Sequence, residues 1–141
     1  MRRSLLRGIL FVTVAAAAAA ACGDEAGPGP TNPTPSTPKT ETHTNTLTIN
    51  GAITFAPINV TQAGSANATI KTLSPDATAI VGIALGTWSG TTCTIVLAND
   101  IASQGSVVSG VVQDAGALCA RVYDVGKLTA PTTFTIDVTH F

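Results

Sequence analysis

Residues 132–139 read TTFTIDVT, and this stretch decides the fold of the chain. Phe134, Ile136 and Val138 are apolar, whereas the residues between them are polar. A period of two places apolar side chains on one face of a β-strand and polar side chains on the other face. The segment is therefore predicted to be a half-buried strand.

Similar patterns continue toward the N-terminus and are separated by turn residues such as Asn50-Gly51. The strand that follows this dipeptide is predicted to kink at Pro57, because proline lacks the donor that a ladder needs. The run 78–85 is apolar on both faces except at Gly82, which is typical of a central strand. Together these segments predict an all-β sandwich or barrel of about eight strands over residues 47–141. The later strands are predicted at residues 78–85, 93–98, 107–113, 118–123 and 132–139.

The amino-acid composition agrees with this fold class, and the charge balance argues against nucleic acid as a partner. The 141 residues include only one Trp, one Tyr and four Phe, so the core must consist mainly of small and β-branched side chains. Seven Lys and Arg face eight Asp and Glu. Without Arg2, Arg3 and Arg7, which belong to the leader described next, four basic residues face eight acidic ones. Such a chain lacks the basic surface that nucleic-acid binding requires.

The first 21 residues are predicted to be a secretory signal peptide. A basic start, MRRSLLR, precedes an apolar stretch from Ile9 to Val14 and seven alanines that end at Ala21. A membrane-spanning helix fits less well, because it needs roughly 20 strongly apolar residues and half of this run is alanine.

Cys22 directly follows the alanines, and the sequence Ala19-Ala20-Ala21-Cys22-Gly23 resembles the lipobox of bacterial lipoproteins. The resemblance implies that Cys22 is diacylated and becomes the mature N-terminus, although Ala19 stands where leucine is expected. Ordinary signal-peptidase cleavage after the same small residues is the alternative. The chain has three cysteines, and acylation of Cys22 would leave Cys93 and Cys119 as a pair. Gly23 after the cysteine, by resemblance to known sorting rules, favours the outer membrane or cell surface.

Residues 22–46 are predicted to be a lipid-anchored linker without a fold of its own. Five of the eight prolines lie here, in a text rich in threonine. Such a composition cannot bury a core and favours an extended polyproline-II conformation. The predicted boundaries are therefore 1–21 for the signal peptide, 22–46 for the linker and 47–141 for the β-sandwich.

Two segments of the sandwich resemble a known family. They are LSPDATAIVGIALGTWSGTTCTIVLAND, at 73–100, and GALCARVYDVGKLTAPTTFTIDVTH, at 116–140. They are similar to bacterial pre-peptidase C-terminal-type domains in the Gly-rich loop around Trp88, the Asn99-Asp100 turn and the segment 121–124. The resemblance implies a compact jelly-roll-like β-sandwich. It also implies a non-catalytic accessory module, which in some members is linked to substrate adhesion or calcium.

A disulfide between Cys93 and Cys119 is predicted, with a zinc site as the weaker alternative because no histidine lies nearby to complete four ligands. The phases of the two strands conflict, since Cys93 shares its phase with Ile95 and Leu97 whereas Cys119 points away from the predicted core. Cys93 is therefore expected to precede its strand, or a bulge is expected to intervene.

No catalytic residues are predicted. His43 falls in the predicted linker and His140 lies beside the C-terminus, where neither is expected to be held rigidly. The sequence contains no nucleophile, metalloprotease or phosphate-loop motif. We therefore expect a protein that is not an enzyme and needs no cofactor.

Trp88, Asp100 and Asp124 are the candidate ligand-binding residues. Trp88 would either cap one end of the sandwich or stack on a sugar ring, and burial against the core is expected. The acidic and amide residues at predicted turns are expected to bond their own backbone, with a calcium site as the alternative. They are Asp76, Asn99, Asp100, Asp114 and Asp124. The sequence thus predicts a lipid-anchored envelope protein with a structural or adhesive role, or alternatively a polysaccharide-binding module. Its partners would be the membrane, through the lipid, and a polysaccharide or an envelope protein.

Overall fold

Eight antiparallel strands and the turns between them make up residues 36–141, which are the residues that the computed structural model describes. The predicted signal peptide at 1–21, Cys22 and the linker up to residue 35 lie outside the described residues. The strands are β1 Lys39–Leu47, β2 Ala52–Val60, β3 Gly64–Ser74, β4 Val81–Trp88, β5 Cys93–Ala102, β6 Val107–Val112, β7 Gly116–Tyr123 and β8 Thr132–His140. Within this range no helix is long and apolar enough to cross a membrane.

The strands form two four-stranded sheets with the orders β1-β8-β3-β6 and β2-β7-β4-β5. β1 pairs with β8, β2 with β7, β3 with β6 and β4 with β5. The chain is therefore one long hairpin, with its tip between β4 and β5, that is rolled into two layers. This arrangement is a jelly roll, and it confirms the predicted all-β, jelly-roll-like sandwich of about eight strands.

The core lies between the two sheets and is supplied by alternate residues of each strand. On β8, Phe134, Ile136 and Val138 are fully buried, as their alternation predicts. On β4, every residue from Val81 to Gly86 is buried, because this strand lies between β7 and β5. The predicted central strand is thus confirmed, but it begins at Val81 and not at Thr78.

The predicted boundary between linker and sandwich at Leu47 is wrong, because β1 begins at Lys39 and ends at Leu47. The outward residues of β1 are threonines that bond partners on β8. Thr44 and Thr135 join their hydroxyl groups at 2.9 Å, and Thr42 donates to Asp137 at 2.6 Å. β1 lies at the edge of its sheet and presents little apolar surface, so the apolar pattern used for the other strands did not reveal it.

The turn after β1 contains the predicted Asn50-Gly51 dipeptide. Asn50 has a φ of 56°, and the Gly51 N–H donates to the Thr48 carbonyl at 2.9 Å. Ile49 also lies in this turn and is exposed. Farther along, the register shift between Phe55 and Ile58 confirms the irregularity predicted at Pro57.

Candidate functional sites

The disulfide between Cys93 and Cys119 is present, with the two Cα atoms 5.8 Å apart. Cys93 begins β5 and Cys119 lies on β7, and these strands flank β4 in the sheet. The bridge therefore links two strands that are not hydrogen-bonded to each other. A Cβ on Gly86 of β4 would lie 2.2 Å from the Thr94 carbonyl oxygen, so glycine permits this close approach of the β5 backbone.

A bulge explains how Cys93 reaches Cys119. Leu85 pairs with Leu97, whereas the next residue, Gly86, pairs with Ile95, so Val96 is the extra residue on β5. An extra residue reverses the phase of the strand on one side of it. Leu97 and Cys93 consequently face opposite sides of the sheet, which confirms the predicted bulge.

Trp88 lies at the end of β4, where it pairs with Cys93 across the hairpin. The expected loop around it is shorter than predicted, because Trp88 belongs to the strand and only residues 89–92 turn the chain. The indole is half-buried, which matches neither the full burial that we expected nor full exposure. Ser89, Thr91 and Thr92 beside it are exposed.

Asp100 lies inside β5 and not in the predicted Asn99-Asp100 turn. Its carboxylate accepts a hydrogen bond from the hydroxyl group of Tyr123 on β7. The Tyr123 ring reaches Asp100 across Gly82 of β4, where a Cβ would lie 2.3 Å from the ring. Burial raises the pKa of Tyr123, and the bond to Asp100 raises it further, to about 12. The hydroxyl group therefore stays protonated and acts as a structural donor.

Asp124 joins two loops at one end of the sandwich. One carboxylate oxygen accepts from the backbone N–H groups of Gly126, Lys127 and Leu128, and the other accepts from Asn50 at 2.8 Å. Burial raises the pKa of this carboxyl group, but the four backbone donors outweigh burial and hold the pKa below its ordinary value. The side chain thus bonds backbone, as turn aspartates are expected to do.

The two candidate aspartates belong to separate hydrogen-bond networks. Among residues 36–141, no group of three or more His, Cys, Asp or Glu side chains is placed to hold a metal ion. In the described domain, Asp100 and Asp124 therefore do not form the converging cluster that the calcium alternative requires.

The two histidines are held by the scaffold, contrary to the expectation that neither would be. His140 ends β8 on its core face and is only 1% exposed. Its Nε2 atom lies 3.4 Å from Glu41 Oε1, and Nε2 of His43 lies 3.7 Å from Glu41 Oε2. The His43 ring also stacks on Phe55, with the ring centroids 4.6 Å apart. These side chains connect β1 with β8 and β2 at one end of the core.

Glu41 is the acidic centre of this histidine cluster. The hydrogen bond from Lys39 lowers the pKa of Glu41, burial opposes that effect, and His140 lowers the pKa further. The sequence contains a pattern that could have revealed this cluster. Threonine at 40, 42, 44 and 46 forms a strict alternation that places residues 41 and 43 on the opposite face, and His140 continues the phase of Val138.

An apolar groove opens on the side of the sandwich where β5 and β6 form the edges of the two sheets. Its volume is about 410 Å³, and all its lining residues are uncharged. Leu85, Leu97 and Leu118 contribute apolar surface, and Thr87, Ser109 and Gln113 contribute polar groups. The sequence did not indicate this groove, because its lining residues come from strands of both sheets.

Comparisons with known proteins support the fold of the chain but assign it to no family. No family model matches the chain, and no curated protein matches it. Among solved structures, the chain is similar to the crystal structure of the mitogen derived from Yersinia pseudotuberculosis. The TM-score is 0.55 with 16% identity, over 74% of this chain and 88% of that chain. A structure of Bacillus endospore appendages, titled as a family of disulfide-linked pili, matches with a TM-score of 0.39 and 21% identity. That match also covers 74% of this chain and 88% of the pilus chain. At these identities, the similarity to the mitogen supports the β-sandwich fold and nothing more specific.

Proposed function

We propose that this chain is a non-catalytic lipoprotein of the cell envelope, anchored through Cys22, which displays a disulfide-bonded β-sandwich for a structural or adhesive role. The observation that carries the proposal is that two of the three cysteines pair with each other and the third follows the leader. The disulfide takes Cys93 and Cys119, and the third cysteine of the chain is Cys22, directly after the apolar leader. Two acyl chains at that position would give stable membrane attachment.

The disposition of the ionisable groups favours a structural role. A catalytic acid or base needs a group that is available to a substrate proton. Five acidic side chains of the described domain instead accept hydrogen bonds within it. They are Glu41, Asp76, Asp100, Asp124 and Asp137.

The anchor and the domain would be joined by a short linker. Because β1 begins at Lys39, the proposed linker extends from Cys22 to residue 38. Even fully extended, 17 residues span only on the order of 50 Å at ~3.1 Å each. The sandwich would therefore stay near the outer membrane or cell surface, where an envelope protein or a polysaccharide is the proposed partner.

Lipidation is tested by fractionation of cells that express the full chain. The wild-type chain is expected in the membrane fraction after a high-salt wash, and its mature N-terminal peptide should carry the mass of acyl chains on Cys22. Cys22→Ser should lose the acyl mass and the processing that depends on it. The matched control is the double variant Cys93→Ala with Cys119→Ala, which removes two cysteines but should keep the acyl mass. An unmodified N-terminal peptide in the wild-type chain would contradict the proposal.

Polysaccharide binding through Trp88 is a second candidate function. The half-buried indole keeps part of its surface accessible, and it lies beside the exposed residues Ser89, Thr91 and Thr92. Sugar rings stack on aromatic faces while nearby hydroxyl groups bond their substituents.

Two variants separate this candidate from a purely structural role of Trp88. Insoluble polysaccharides are incubated with the wild-type chain and with Trp88→Phe, which retains an aromatic face, and Trp88→Leu, which retains only apolar volume. Binding that survives in Trp88→Phe and falls at least tenfold in Trp88→Leu, with both variants folded, supports the candidate. Equal retention of all three proteins by every polysaccharide contradicts it.

A further inference from the structure

The described chain enters the sandwich at one of its two ends. Lys39, the first residue of β1, pairs with His140, the last residue of β8. Just before β1, the hydroxyl group of Ser36 accepts a hydrogen bond from the side chain of Gln62, which lies in the turn between β2 and β3. The chain that precedes the domain therefore arrives at this end, which we call the linker end.

The strand registers place three turns and Trp88 at the linker end. Val60 at the end of β2 pairs with Gly116 at the start of β7, and Thr87, next to Trp88, pairs with Leu118 two residues farther along β7. The turns at the linker end are 61–63, 89–92 and 113–115. The turns at the other end, the far end, are 48–51, 75–80, 103–106 and 124–131. Strands of nine residues such as β1 separate the two ends by about 30 Å at ~3.3 Å per residue.

The two ends differ in charge and in aromatic content. Asp114 is the one ionisable residue in the three turns of the linker end, whereas the turns of the far end carry Asp76, Asp124 and Lys127. Trp88 is the single tryptophan of the chain. An indole is apolar over most of its surface but has one polar N–H group, and tryptophan is therefore enriched where a membrane meets water. The linker end thus combines an aromatic side chain of interfacial character with turns of low charge.

Trp88 is fixed in place by the strands around it, and part of its ring remains accessible. It pairs with Cys93 of β5, which is bonded through its sulfur to Cys119 of β7. The indole is half-buried, and the next two residues, Ser89 and Gly90, are exposed. A side chain held in this way loses little conformational freedom when it meets a partner, so a small contact area is sufficient.

The proposed anchor determines which end of the domain meets the membrane. Acyl chains on Cys22 would tether the sandwich by its linker end, because the chain enters the domain there. A tether raises the effective concentration of lipid at the nearest surface, so a contact that is weak by itself becomes populated. The three turns of the linker end contain no lysine or arginine, so this contact would be apolar and would not depend on anionic lipid.

We infer that the linker end is a membrane-contact surface, at which the accessible part of the Trp88 ring lies in the headgroup region of the bilayer that holds the anchor. The inference rests on the proposed acylation of Cys22, since the tether is what brings this end to the lipid. The far end, with its charged turns, would face away from the membrane.

Quenching of tryptophan fluorescence by brominated lipids tests this contact, because the chain has one tryptophan. The full chain is purified in detergent from the expressing cells and reconstituted into phosphatidylcholine vesicles, with or without bromine on the acyl-chain carbons near the headgroup. We expect the brominated vesicles to lower the Trp88 fluorescence at least twofold. The quenching should persist in high salt, because an apolar contact is not screened.

The matched control moves the tryptophan to the far end. Trp88→Phe combined with Thr129→Trp places the indole in an exposed turn about 30 Å from the linker end. Bromine quenches through close contact, so this chain should show at least fivefold less quenching than the wild type. Trp88→Phe combined with Gln113→Trp returns the indole to a turn of the linker end and should restore the quenching.

Flotation of the vesicles separates the contact from the anchor. A wild-type chain that does not float with them contradicts the proposed acylation, and the inference falls with it. A chain that floats but shows no quenching of Trp88, or equal quenching at residues 88 and 129, overturns the membrane contact and leaves the anchor intact. A floating chain whose Trp88 responds only to a soluble fragment of a polysaccharide also overturns the contact, and it assigns the ring to the second candidate function.

Discussion

The Asp124 carboxylate holds two loops that are far apart in sequence, because it accepts backbone bonds from Asn50 and from residues 126–128. Asp124→Asn keeps one acceptor oxygen but loses the charge and the second acceptor. Hydrogen bonds to charged groups contribute about 1.5–3 kcal/mol, so this variant should lose on the order of 2 kcal/mol of unfolding free energy at neutral pH. Urea denaturation measures the loss. Asp114→Asn, in an exposed turn, is the control and should stay within about 0.5 kcal/mol of the wild type.

The same residue gives a pH dependence with a definite sign. Because folding lowers the pKa of Asp124 below its ordinary value of 3.8, its contribution is complete at pH values above that number. It is lost as the pH falls through the lower pKa of the folded state. The difference in unfolding free energy between wild type and Asp124→Asn should therefore be constant near neutrality and shrink below about pH 4. A difference that grows on acidification would contradict this assignment.

The disulfide joins β5 to β7 and encloses residues 93–119. The bridge closes a loop with a sequence separation of 26, which corresponds to about 3.5 kcal/mol in the chain-entropy model. Replacing both Cys93 and Cys119 by alanine should lower the melting temperature while the circular dichroism remains that of a β-protein. Reductant should lower the melting temperature of the wild type and leave that of the double variant unchanged. A wild type that is insensitive to reductant would show that the bridge does not contribute to stability.

The observed domain begins with β1 at Lys39, whereas the sequence predicted that the domain begins at Leu47. Deleting residues 39–46 removes the strand that covers the edge of β8 and carries Glu41 and His43 to the core end. Deleting residues 24–31 removes the same number of residues from the Pro-rich segment. If residues up to 46 were only a linker, both deletions would be harmless. We expect the first to abolish cooperative thermal unfolding and the second to leave the melting temperature unchanged.

The molecule as a whole was predictable where burial follows a simple apolar pattern. β8 was found from its alternation, and β4 was found from a run that is apolar on both faces. β1 was missed because its inward residues include Glu41 and His43, which are half-buried and are held by ion pairing and ring stacking, not by hydrophobicity. For the same reason the histidine cluster was missed although its phase was present in the sequence. The disulfide and its bulge followed from cysteine number and phase. The β5–β6 groove depends on how two sheets meet, which no single strand encodes. The similarity to pre-peptidase C-terminal-type domains stays a prediction.

The rolled hairpin also brings the ends of the described domain close together. Gln62 donates to the Ser36 hydroxyl group, and the neighbouring Thr61 N–H donates to the Phe141 carbonyl at 2.9 Å. A chain whose ends meet can be reconnected there and opened at an exposed turn without loss of any strand pairing. The segment 113–115 between β6 and β7 is such a turn, since all three residues are exposed.

We therefore predict that a circular permutant of residues 36–141 folds when Phe141 is joined to Ser36 by a linker of about six Gly and Ser residues and the chain is opened between Asp114 and Ala115. All four hairpin pairs, β1–β8, β2–β7, β3–β6 and β4–β5, are preserved. Its unfolding free energy should lie within about 2 kcal/mol of that of the unpermuted domain, because only loop closure changes. The control opens the chain between Thr135 and Ile136, in the middle of a strand that pairs on both sides with β1 and β3, and it should not fold. Cooperative unfolding followed by circular dichroism distinguishes the two. If the permutant opened at Asp114 does not fold although the unpermuted domain does, the order of the strands along the chain also determines this jelly roll, and strand pairing alone does not.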